Sequence, residues 1–488
     1  MFRIGIIQVL AILINIVRSK VTAVLLGPQG IGLVSVVDQV VQLAGFICAM
    51  SLPLAAIKIL AHAHSEGRRE FQRSYLGLLR ILIILSFSGT TVVAISSLAG
   101  ASWMGSDLLR FRPYLLIAAF NIPTIVLGGF FTNVLAAAGR VSEAAFVAVI
   151  VNGVMTIASY VGISLGKVLG LYAASAIAGL ALTVGIIAFL RVRLDLRLTG
   201  ERASVKDQLR GNRAGLLYSL MLYMTSLTYS GSLLAARYGV LHAWGDTEAG
   251  LLQSAMAIAL ALGLVLNPMN GLFLTPLMNR NTPPEEKLRT AVDFQKRLLV
   301  IMSLAAMALS MFPDLVIRIL FSAQFASAAQ SVPLLVFGQC LLQIAAVYQA
   351  LLIGFDDLLM LGLLTAGGQL MFGAVSVWLT SKYGIGGVAA AYVISSFAVL
   401  ASAFWRVRSR FALSLPGGTA VLMAYASAAI FFSGAIFRHQ SNLHLAILSA
   451  KAGLYAAFTF GFFCFLSRQE RESFYSMLPG VRSRIAAE

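Results

Sequence analysis

Long apolar stretches alternate with short polar segments along almost the whole chain. About 20 apolar residues of α-helix cross the hydrocarbon core of a bilayer, and fourteen stretches reach roughly that length. Twelve form two groups of six, at about 4–26, 31–60, 75–98, 113–136, 143–165 and 168–190, and at about 214–237, 249–275, 298–318, 331–353, 358–380 and 385–405. Two more lie at about 418–437 and 445–466. The pattern predicts an all-α polytopic membrane protein with about 14 transmembrane helices.

The same pattern divides the chain into five regions. We expect an N-terminal six-helix lobe over 1–190, a basic cytoplasmic linker over 191–213, a C-terminal six-helix lobe over 214–410, an appended helix pair over 411–467, and a cytoplasmic tail over 468–488. The lobes share two sequence echoes in the same order, Gly30-Ile-Gly-Leu with Glu248-Ala-Gly-Leu and Gly166-Lys-Val-Leu-Gly with Tyr383-Gly-Ile-Gly-Gly. Glycine recurring at tight helix contacts is the alternative for either echo alone. Together the echoes indicate an internal repeat, which is typical of transporters.

Composition agrees with a membrane location. Hydrophobic residues make up 59% of the 488 positions, charged residues make up 11%, and the mean hydropathy is +0.88, more apolar surface than one soluble core could bury. The net charge of +17 does not indicate a nucleic-acid partner, because no basic run interleaved with exposed aromatics occurs in a soluble segment. With the N-terminus inside, about two thirds of the lysines and arginines fall in cytoplasmic loops. We therefore expect a multi-pass protein of the inner (plasma) membrane with both termini cytoplasmic.

No enzyme motif is apparent. The sequence has no P-loop, GxSxG or HExxH, and no soluble stretch longer than about 20 residues. Cys48, Cys340 and Cys464 each sit in an apolar run without CxxC spacing, and His62 with His64 offers two metal ligands without a third. We expect no catalytic residue, no metal and no cofactor, apart from a coupling cation, Na⁺ or H⁺, that the sequence does not identify.

Polar side chains form a stripe on each of the first two predicted spans. The stripes comprise Gln8, Asn15, Arg18 and Thr22 on the first, and Ser35, Asp38 and Gln42 on the second. A polar stripe in lipid must turn toward protein or water, so a hydrated centre and plain interhelical hydrogen bonding are the two interpretations. Arg18 and Asp38 are equally far from Pro28 along the chain, so both should lie about 15 Å from the turn there and can be neighbours. A structural ion pair is the alternative to a substrate-binding pair.

Three more cations within the spans are candidates for a central cavity. Lys20 lies on the opposite face from Arg18, and snorkelling or a helix contact is its alternative role. Lys58 follows Pro53, which can kink the second span and aim Lys58 at a cavity. Arg237 lies in the second half about where Arg18 lies in the first. The candidate substrate-binding residues are therefore Arg18, Lys20, Asp38, Gln42, Asn15, Lys58 and Arg237.

The first hairpin, Lys20-Val-Thr-Ala-Val-Leu-Leu-Gly-Pro-Gln-Gly-Ile-Gly-Leu, resembles that of the O-antigen translocase type of oligosaccharide flippase, in the superfamily that also holds lipid II flippases and multidrug exporters. Ile319-Leu-Phe-Ser-Ala-Gln-Phe and Gly386-Gly-Val-Ala-Ala-Ala extend the resemblance over about 1–410. It implies two six-helix lobes around a cationic cavity and movement of a polyprenyl pyrophosphate-linked oligosaccharide to the outer leaflet for surface polysaccharide biosynthesis. Implied partners are that lipid-linked oligosaccharide, the bilayer, and a glycan polymerase or glycosyltransferases.

Two other functions remain open at this point. A cation-coupled exporter of amphiphilic drugs should have mainly acidic cavity groups, whereas cations here outnumber Asp38 within the spans. A polytopic glycan polymerase generally needs larger external loops than this chain offers. Fourteen helices, rather than the twelve usual for O-antigen translocases, are found in lipid II flippases and some polysaccharide exporters, so the subclass of substrate stays open.

Overall fold

The structure is a computed structural model that describes residues 2–50, 52–99, 109–197, 213–278, 282–411, 417–436 and 445–465. These residues are almost entirely helical, and no strand occurs among them. The predicted tail at 468–488 and most of the predicted linker lie outside the described residues. The helices are α1 (Phe2–Ala49), α2 (Leu52–Glu66), α3 (Arg68–Ala99), α4 (Arg112–Ala118), α5 (Ile122–Ala137), α6 (Val141–Leu194), α7 (Arg213–Met278), α8 (Pro284–Met311), α9 (Pro313–Leu320), α10 (Val332–Gly354), α11 (Leu358–Phe411), α12 (Gly417–Ile436) and α13 (Leu445–Phe465).

Four of these helices are each broken once into two arms. The breaks lie at Gly27 in α1, at Gly166 and Lys167 in α6, at Gly245 in α7 and at Gly384 in α11. Each break separates two predicted spans, so every one of the fourteen spans has a helical counterpart in the described residues. The all-α membrane fold predicted from the sequence is confirmed.

The breaks also recur with repeat spacing. Gly27 (φ 64, ψ −178) and Gly245 (φ 87, ψ 178) share one conformation, and Lys167 (φ 49, ψ −128) and Gly384 (φ 54, ψ −133) share another. Gly32 follows Gly27 by as many residues as Gly250 follows Gly245, in agreement with the first sequence echo. The internal repeat is therefore visible in backbone conformation as well as in sequence.

Length and composition suit a bilayer. Seven helices over the described residues are long and apolar enough to cross a membrane, three of them broken pairs, and the protein is a multi-pass membrane protein. On α6 the large apolar side chains of Ile157, Leu165 and Ile177 are exposed. Such exposure is unfavourable in water and expected where lipid tails are the solvent.

The second and ninth spans are among those that differ in detail from the prediction. The second is interrupted between Ala49 and Leu52, with Met50 at φ 45, just before Pro53, whose missing N–H weakens the helix there. The Pro53 carbonyl accepts a 2.6 Å hydrogen bond from Asn133 Nδ2. The ninth span begins earlier than predicted, because the amphipathic segment from Pro284 continues the helix, with Pro284 at its first turn. Lys287, which lies between the predicted eighth and ninth spans, is a buried helical residue whose Nζ donates to Gly354 O at 2.7 Å.

The chain forms two compact units. The first comprises Met1–Ser254, Ile317–Ala328 and Leu358–Ala391, and the second comprises Ala255–Val316, Ala329–Asp357 and Tyr392–Glu488. In the first unit α1 packs mainly on α6, while α5 packs on α2, α3 and α6.

In the second unit α8 packs on α10, α12 and α13. Tyr348 donates to Gln295 Oε1 at 3.0 Å, and Tyr455 on α13 donates to Leu304 O at 3.3 Å. Lys451 on α13 is buried, with its Nζ 5.7 Å from the centre of the Phe312 ring. Both α12 and α13 therefore pack on α8, and α13 also donates a hydrogen bond to it.

Candidate functional site

Arg18 lies on the first arm of α1 and reaches across to α6. Its Nε donates a 3.1 Å hydrogen bond to Ser159 Oγ, and Ser159 in turn donates to Met155 O in its own helix. The Arg18 side chain is half-buried. Because Nε carries this bond, the two terminal nitrogens extend beyond the contact and can hold a further acceptor. The Nε of Arg18 is thus held by Ser159, while its terminal nitrogens are available to bind a ligand.

Asp38 lies on the second arm of α1, and its Oδ1 accepts a 2.9 Å hydrogen bond from Tyr172 Oη on α6. Tyr172 is buried, whereas the Asp38 side chain is exposed. Arg18 and Arg237 are both close enough to Asp38 to interact with it electrostatically. Among the described side chains Asp38 and Arg18 make no direct ion pair, and each instead has a hydrogen bond to α6. Arg18 and Asp38, predicted to be neighbours from their distances to Pro28, therefore interact electrostatically without a hydrogen bond between them.

Arg237 projects from the first arm of α7 onto the second arm of α1. Its Nη1 donates at 2.9 Å to Ser35 O and at 2.9 Å to Gln39 Oε1. Its side chain is 7% exposed, and its Nε has no hydrogen-bond partner among the described atoms. Tyr229, on the same helix, is close enough to interact with it electrostatically. Arg237 is a buried cation whose hydrogen-bond acceptors are uncharged.

The other predicted site residues are dispersed. Asn15 and Gln42 lie on the same α1 arms as Arg18 and Asp38 and are exposed. Lys20 donates from Nζ to Ile319 O at 2.8 Å, which places a cation at the C-terminal end of α9, where carbonyls carry partial negative charge. Lys58 lies on α2, but its side chain is outside the described part of the structure. The structure thus brings together Arg18, Asp38 and Arg237, which we call the charged triad, and gives Lys20 a helix-end contact.

The triad's partners Ser159, Tyr172 and Gln39 were not singled out from the sequence. Each is uncharged and common in helices, so no local pattern distinguishes it. One weak signal exists for Gln39, which lies four residues after Ser35 and therefore shares its helix face. Over the described residues no group of three or more His, Cys, Asp or Glu side chains is placed to hold a metal ion.

No protein-family model matches the sequence, and no curated protein is similar enough to it to be matched. Solved structures do match. An inward-facing multidrug resistance MATE family transporter of the MOP superfamily superposes with a TM-score of 0.68 at 18% identity, over 83% of this chain and 94% of that chain. An outward-facing structure of such a transporter gives a TM-score of 0.61 at 18% identity, over 84% and 95%. The fold is that of the MATE transporters.

A third structure with the MATE-like fold is described as a MOP superfamily transporter from Pyrococcus furiosus whose reverse binding-pocket polarity suggests a different function. It superposes with a TM-score of 0.58 at 18% identity, over 84% of this chain and 95% of that chain. These similar structures belong to the superfamily that the first hairpin resembles, and the flippase subfamily stays a prediction. At this identity the likeness concerns the fold, so function must be argued from the side chains.

Proposed function

We propose that the protein is a flippase that moves a polyprenyl pyrophosphate-linked oligosaccharide from the cytoplasmic to the outer leaflet by alternating access, for surface polysaccharide biosynthesis. The observation that carries the proposal is the charged triad, two arginines with one aspartate inside apolar helices. Ionisable groups in such helices are costly, about 2.5–3.5 kcal/mol or more each, and usually serve transport. A positive excess suits an anionic headgroup.

The internal repeat supports a functional reading of the triad. With the separation of Gly27 and Gly245, Arg18 corresponds to Ala236, Asp38 to Met256 and Gln42 to Leu260. The second copy thus has the same backbone break with apolar residues in place of these three polar ones. Since the backbone does not need these polar groups, their cost in the first copy is better explained by a ligand than by the fold.

The chemistry of the proposed substrate fits the arrangement. A pyrophosphate with an attached glycan cannot enter hydrocarbon, so it needs a wet path with fixed positive charge while its polyprenyl tail stays in lipid. Guanidinium groups bind phosphate oxygens in two-pronged hydrogen bonds, and the terminal nitrogens of Arg18 have that geometry. The similar MATE structures in inward-facing and outward-facing forms support alternating access as the mode of transport.

A cation-coupled exporter of amphiphilic drugs is the second candidate. The observation in its favour is that Asp38 is exposed although it lies within an apolar helix, so its carboxylate could take up H⁺ or Na⁺. The similar multidrug transporters make the same candidate reasonable. In that function the two arginines would repel cationic drugs, which is why we place it second.

Depletion in a native host separates the two candidates. The flippase predicts that lipid-linked oligosaccharide accumulates on the cytoplasmic leaflet while its synthesis continues, and that surface glycan falls. Unchanged surface glycan together with raised sensitivity to lipophilic cations would instead support the exporter. A host expressing the Arg18→Ala variant at the normal level serves as the control for indirect effects of losing the protein from the membrane.

Orientation in the inner membrane is part of the proposal. Reporter fusions near Arg202, Arg289, Arg408 and the C-terminus should be cytoplasmic, and fusions near Trp103, Asp246 and His439 should be external, because the first set lies among the basic loops. An external signal at the C-terminus would contradict an even number of spans. Glycan polymerase or glycosyltransferases remain proposed partners.

A further inference from the structure

Gln39 lies beside Asp38 in sequence but turns into the contact between α1 and α7. Its side chain is 1% exposed. Its Nε2 donates to Ser230 O at 3.1 Å and to Ser230 Oγ at 2.7 Å, and its Oε1 accepts from Arg237 Nη1 at 2.9 Å. A main-chain carbonyl can only accept, so the amide must point its NH₂ at Ser230 and its oxygen at Arg237. The orientation of Gln39 is therefore fixed on both sides.

This contact holds Arg237 without neutralising it. Both acceptors of its Nη1, Ser35 O and Gln39 Oε1, are uncharged, and the acid among the described residues that acts on it electrostatically is Asp38. A glutamate of the same shape would make a stronger, charge-assisted bond to the guanidinium. It would also cancel the charge of Arg237. The net charge of Arg18, Arg237, Asp38 and residue 39 together would fall from one positive charge to zero.

Arg237 and Arg18 are held in different ways. Arg18 is half-buried and tied by one bond from Nε, so its tip can move toward a ligand. Arg237 is nine-tenths buried and tied twice at Nη1, which leaves little side-chain freedom. A buried charge in a medium of low dielectric acts over several ångströms, so Arg237 can influence a ligand at Arg18 and Asp38 without touching it.

We propose that Gln39 is a positioning and specificity-determining residue, which fixes Arg237 as a permanent positive charge beside Arg18 and Asp38 and so makes the site select anionic headgroups. The inference rests on the proposed function and names the group that sets its charge selectivity. If Gln39 had a purely structural role, Gln39→Glu should leave diphosphate binding unchanged or improved, because the stronger bond between α1 and α7 would hold the same helices together.

The test measures binding to the purified full-length protein in lipid nanodiscs with two probes, a polyprenyl diphosphate and the lipophilic cation tetraphenylphosphonium. Gln39→Glu should weaken diphosphate binding about tenfold or more and should leave tetraphenylphosphonium binding equal or stronger, at unchanged thermal stability. Gln29→Glu is the matched control, since it adds the same charge to the same α1 arm at an exposed position, and it should change neither affinity more than about twofold.

Arg237→Gln removes the same charge by another route and should reproduce the diphosphate defect, which keeps the test valid if Gln39→Glu does not fold. Wild-type diphosphate affinity in either folded variant would overturn the role of Gln39. If the wild-type protein binds tetraphenylphosphonium but no diphosphate, the flippase proposal fails. The inference about Gln39 is then tested by tetraphenylphosphonium binding alone. Gln39→Glu must strengthen that binding for the inference to hold.

Discussion

The helix pairs of α6 and α11 make the same turn with different residues. At the α6 break Lys167 adopts φ 49, and at the α11 break Gly384 adopts φ 54 with a nearly identical ψ. A lysine at positive φ and strongly negative ψ is strained, while a glycine is not. The two copies of the repeat thus keep the backbone and let the side chains diverge, even where the divergence is unfavourable.

The α1 and α7 pairs give the same lesson with a tighter constraint. A side chain on Gly32 would overlap the carbonyl of Asp246, and one on Gly250 would overlap the carbonyl of Pro28. Since Pro28 and Asp246 are themselves repeat counterparts, the contact is reciprocal, as between the halves of a two-fold dimer. Where backbones touch, both copies keep glycine, whereas the second copy has apolar residues at the positions of Arg18, Asp38 and Gln42.

The largest expected effect comes from giving the first copy the residues of the second. Arg18→Ala and Asp38→Met install the counterparts Ala236 and Met256, and each should lower transport of lipid-linked oligosaccharide about 100-fold, because a lost charge-assisted contact is worth roughly 2–5 kcal/mol. Arg18→Lys should recover little, since a single ammonium cannot bind two oxygens in parallel. Transport is measured with the substrate in proteoliposomes.

Ser19→Ala, next to Arg18 and exposed, is the control and should transport normally. Protein amount and thermal stability should stay close to wild type in the Arg18 and Asp38 variants, since the second copy folds with alanine and methionine there. Normal transport by the double variant would mean that the polar stripe serves packing, and the contrast between the copies would lose its functional meaning.

The next effect concerns stability. Gly32→Ala and Gly250→Ala should each destabilise the protein by about 2–4 kcal/mol, because the clashing atoms belong to the backbone and cannot rotate away. Since both glycines serve one contact, the double variant should cost less than the sum of the single variants. Unfolding of the detergent-solubilised protein gives the measurement.

Gly153→Ala and Gly185→Ala on α6 are the matched controls. An added Cβ at either position meets no atom within 4 Å, so the better helix propensity of alanine should leave stability unchanged or raised by about 0.5–1 kcal/mol. A Gly32→Ala variant as stable as these controls would show that the reciprocal contact is not present in solution.

A smaller effect is expected at the unequal turns. Lys167→Gly should stabilise the protein by about 1 kcal/mol by removing strain, whereas Gly384→Ala should destabilise it by about the same amount, because alanine at φ 54 takes on that strain. Lys167→Ala keeps the strain but removes the charge, so it should not stabilise. Equal stability of Lys167→Gly and Lys167→Ala would contradict the assignment of strain.

The smallest effect belongs to an ion pair that one copy has and the other lacks. Arg110 binds both carboxylate oxygens of Asp246 at 2.7 and 3.1 Å, and the counterpart of Asp246 in the first copy is Pro28. Arg110 is 45% exposed, so Arg110→Ala should cost only about 0.5–1 kcal/mol. The difference from wild type should shrink in high salt, and a difference that salt leaves unchanged would argue against an electrostatic origin.

Much of the fold could be predicted because lipid imposes a simple rule on sequence. A segment within the hydrocarbon must be mainly apolar and must satisfy its backbone internally, so each of the fourteen apolar stretches is mostly helical over its described residues. Pro53 indicated a kink in the second span, and the helix is interrupted just before it. The early start of α8 was not predicted, because residues 284–297 form an amphipathic extension. Such a segment has the alternating polar and apolar faces of a soluble helix and lacks the continuous apolar run of a lipid-facing one.

Only part of the candidate site could be predicted from the sequence. Arg18, Asp38 and Arg237 are conspicuous as charges within apolar segments, and the sequence alone singled them out. Ser159, Tyr172 and Gln39 were not found, because a serine, a tyrosine or a glutamine in a helix has many possible partners. Their roles depend on which helix lies opposite, and that is decided by packing.

The sequence by itself predicted that this protein spans a membrane as helices, that its two halves are related, and that most of the charged residues within the spans lie in the first half. Only the tertiary structure decided that Arg237 inserts against α1, that Gln39 fixes it there, and that Tyr172 rather than Arg18 binds Asp38 directly. The physical reason is the sequence distance over which each interaction acts. Hydrophobicity and backbone propensity act on neighbouring residues, whereas a hydrogen bond between positions about 200 residues apart exists only after the helices have packed.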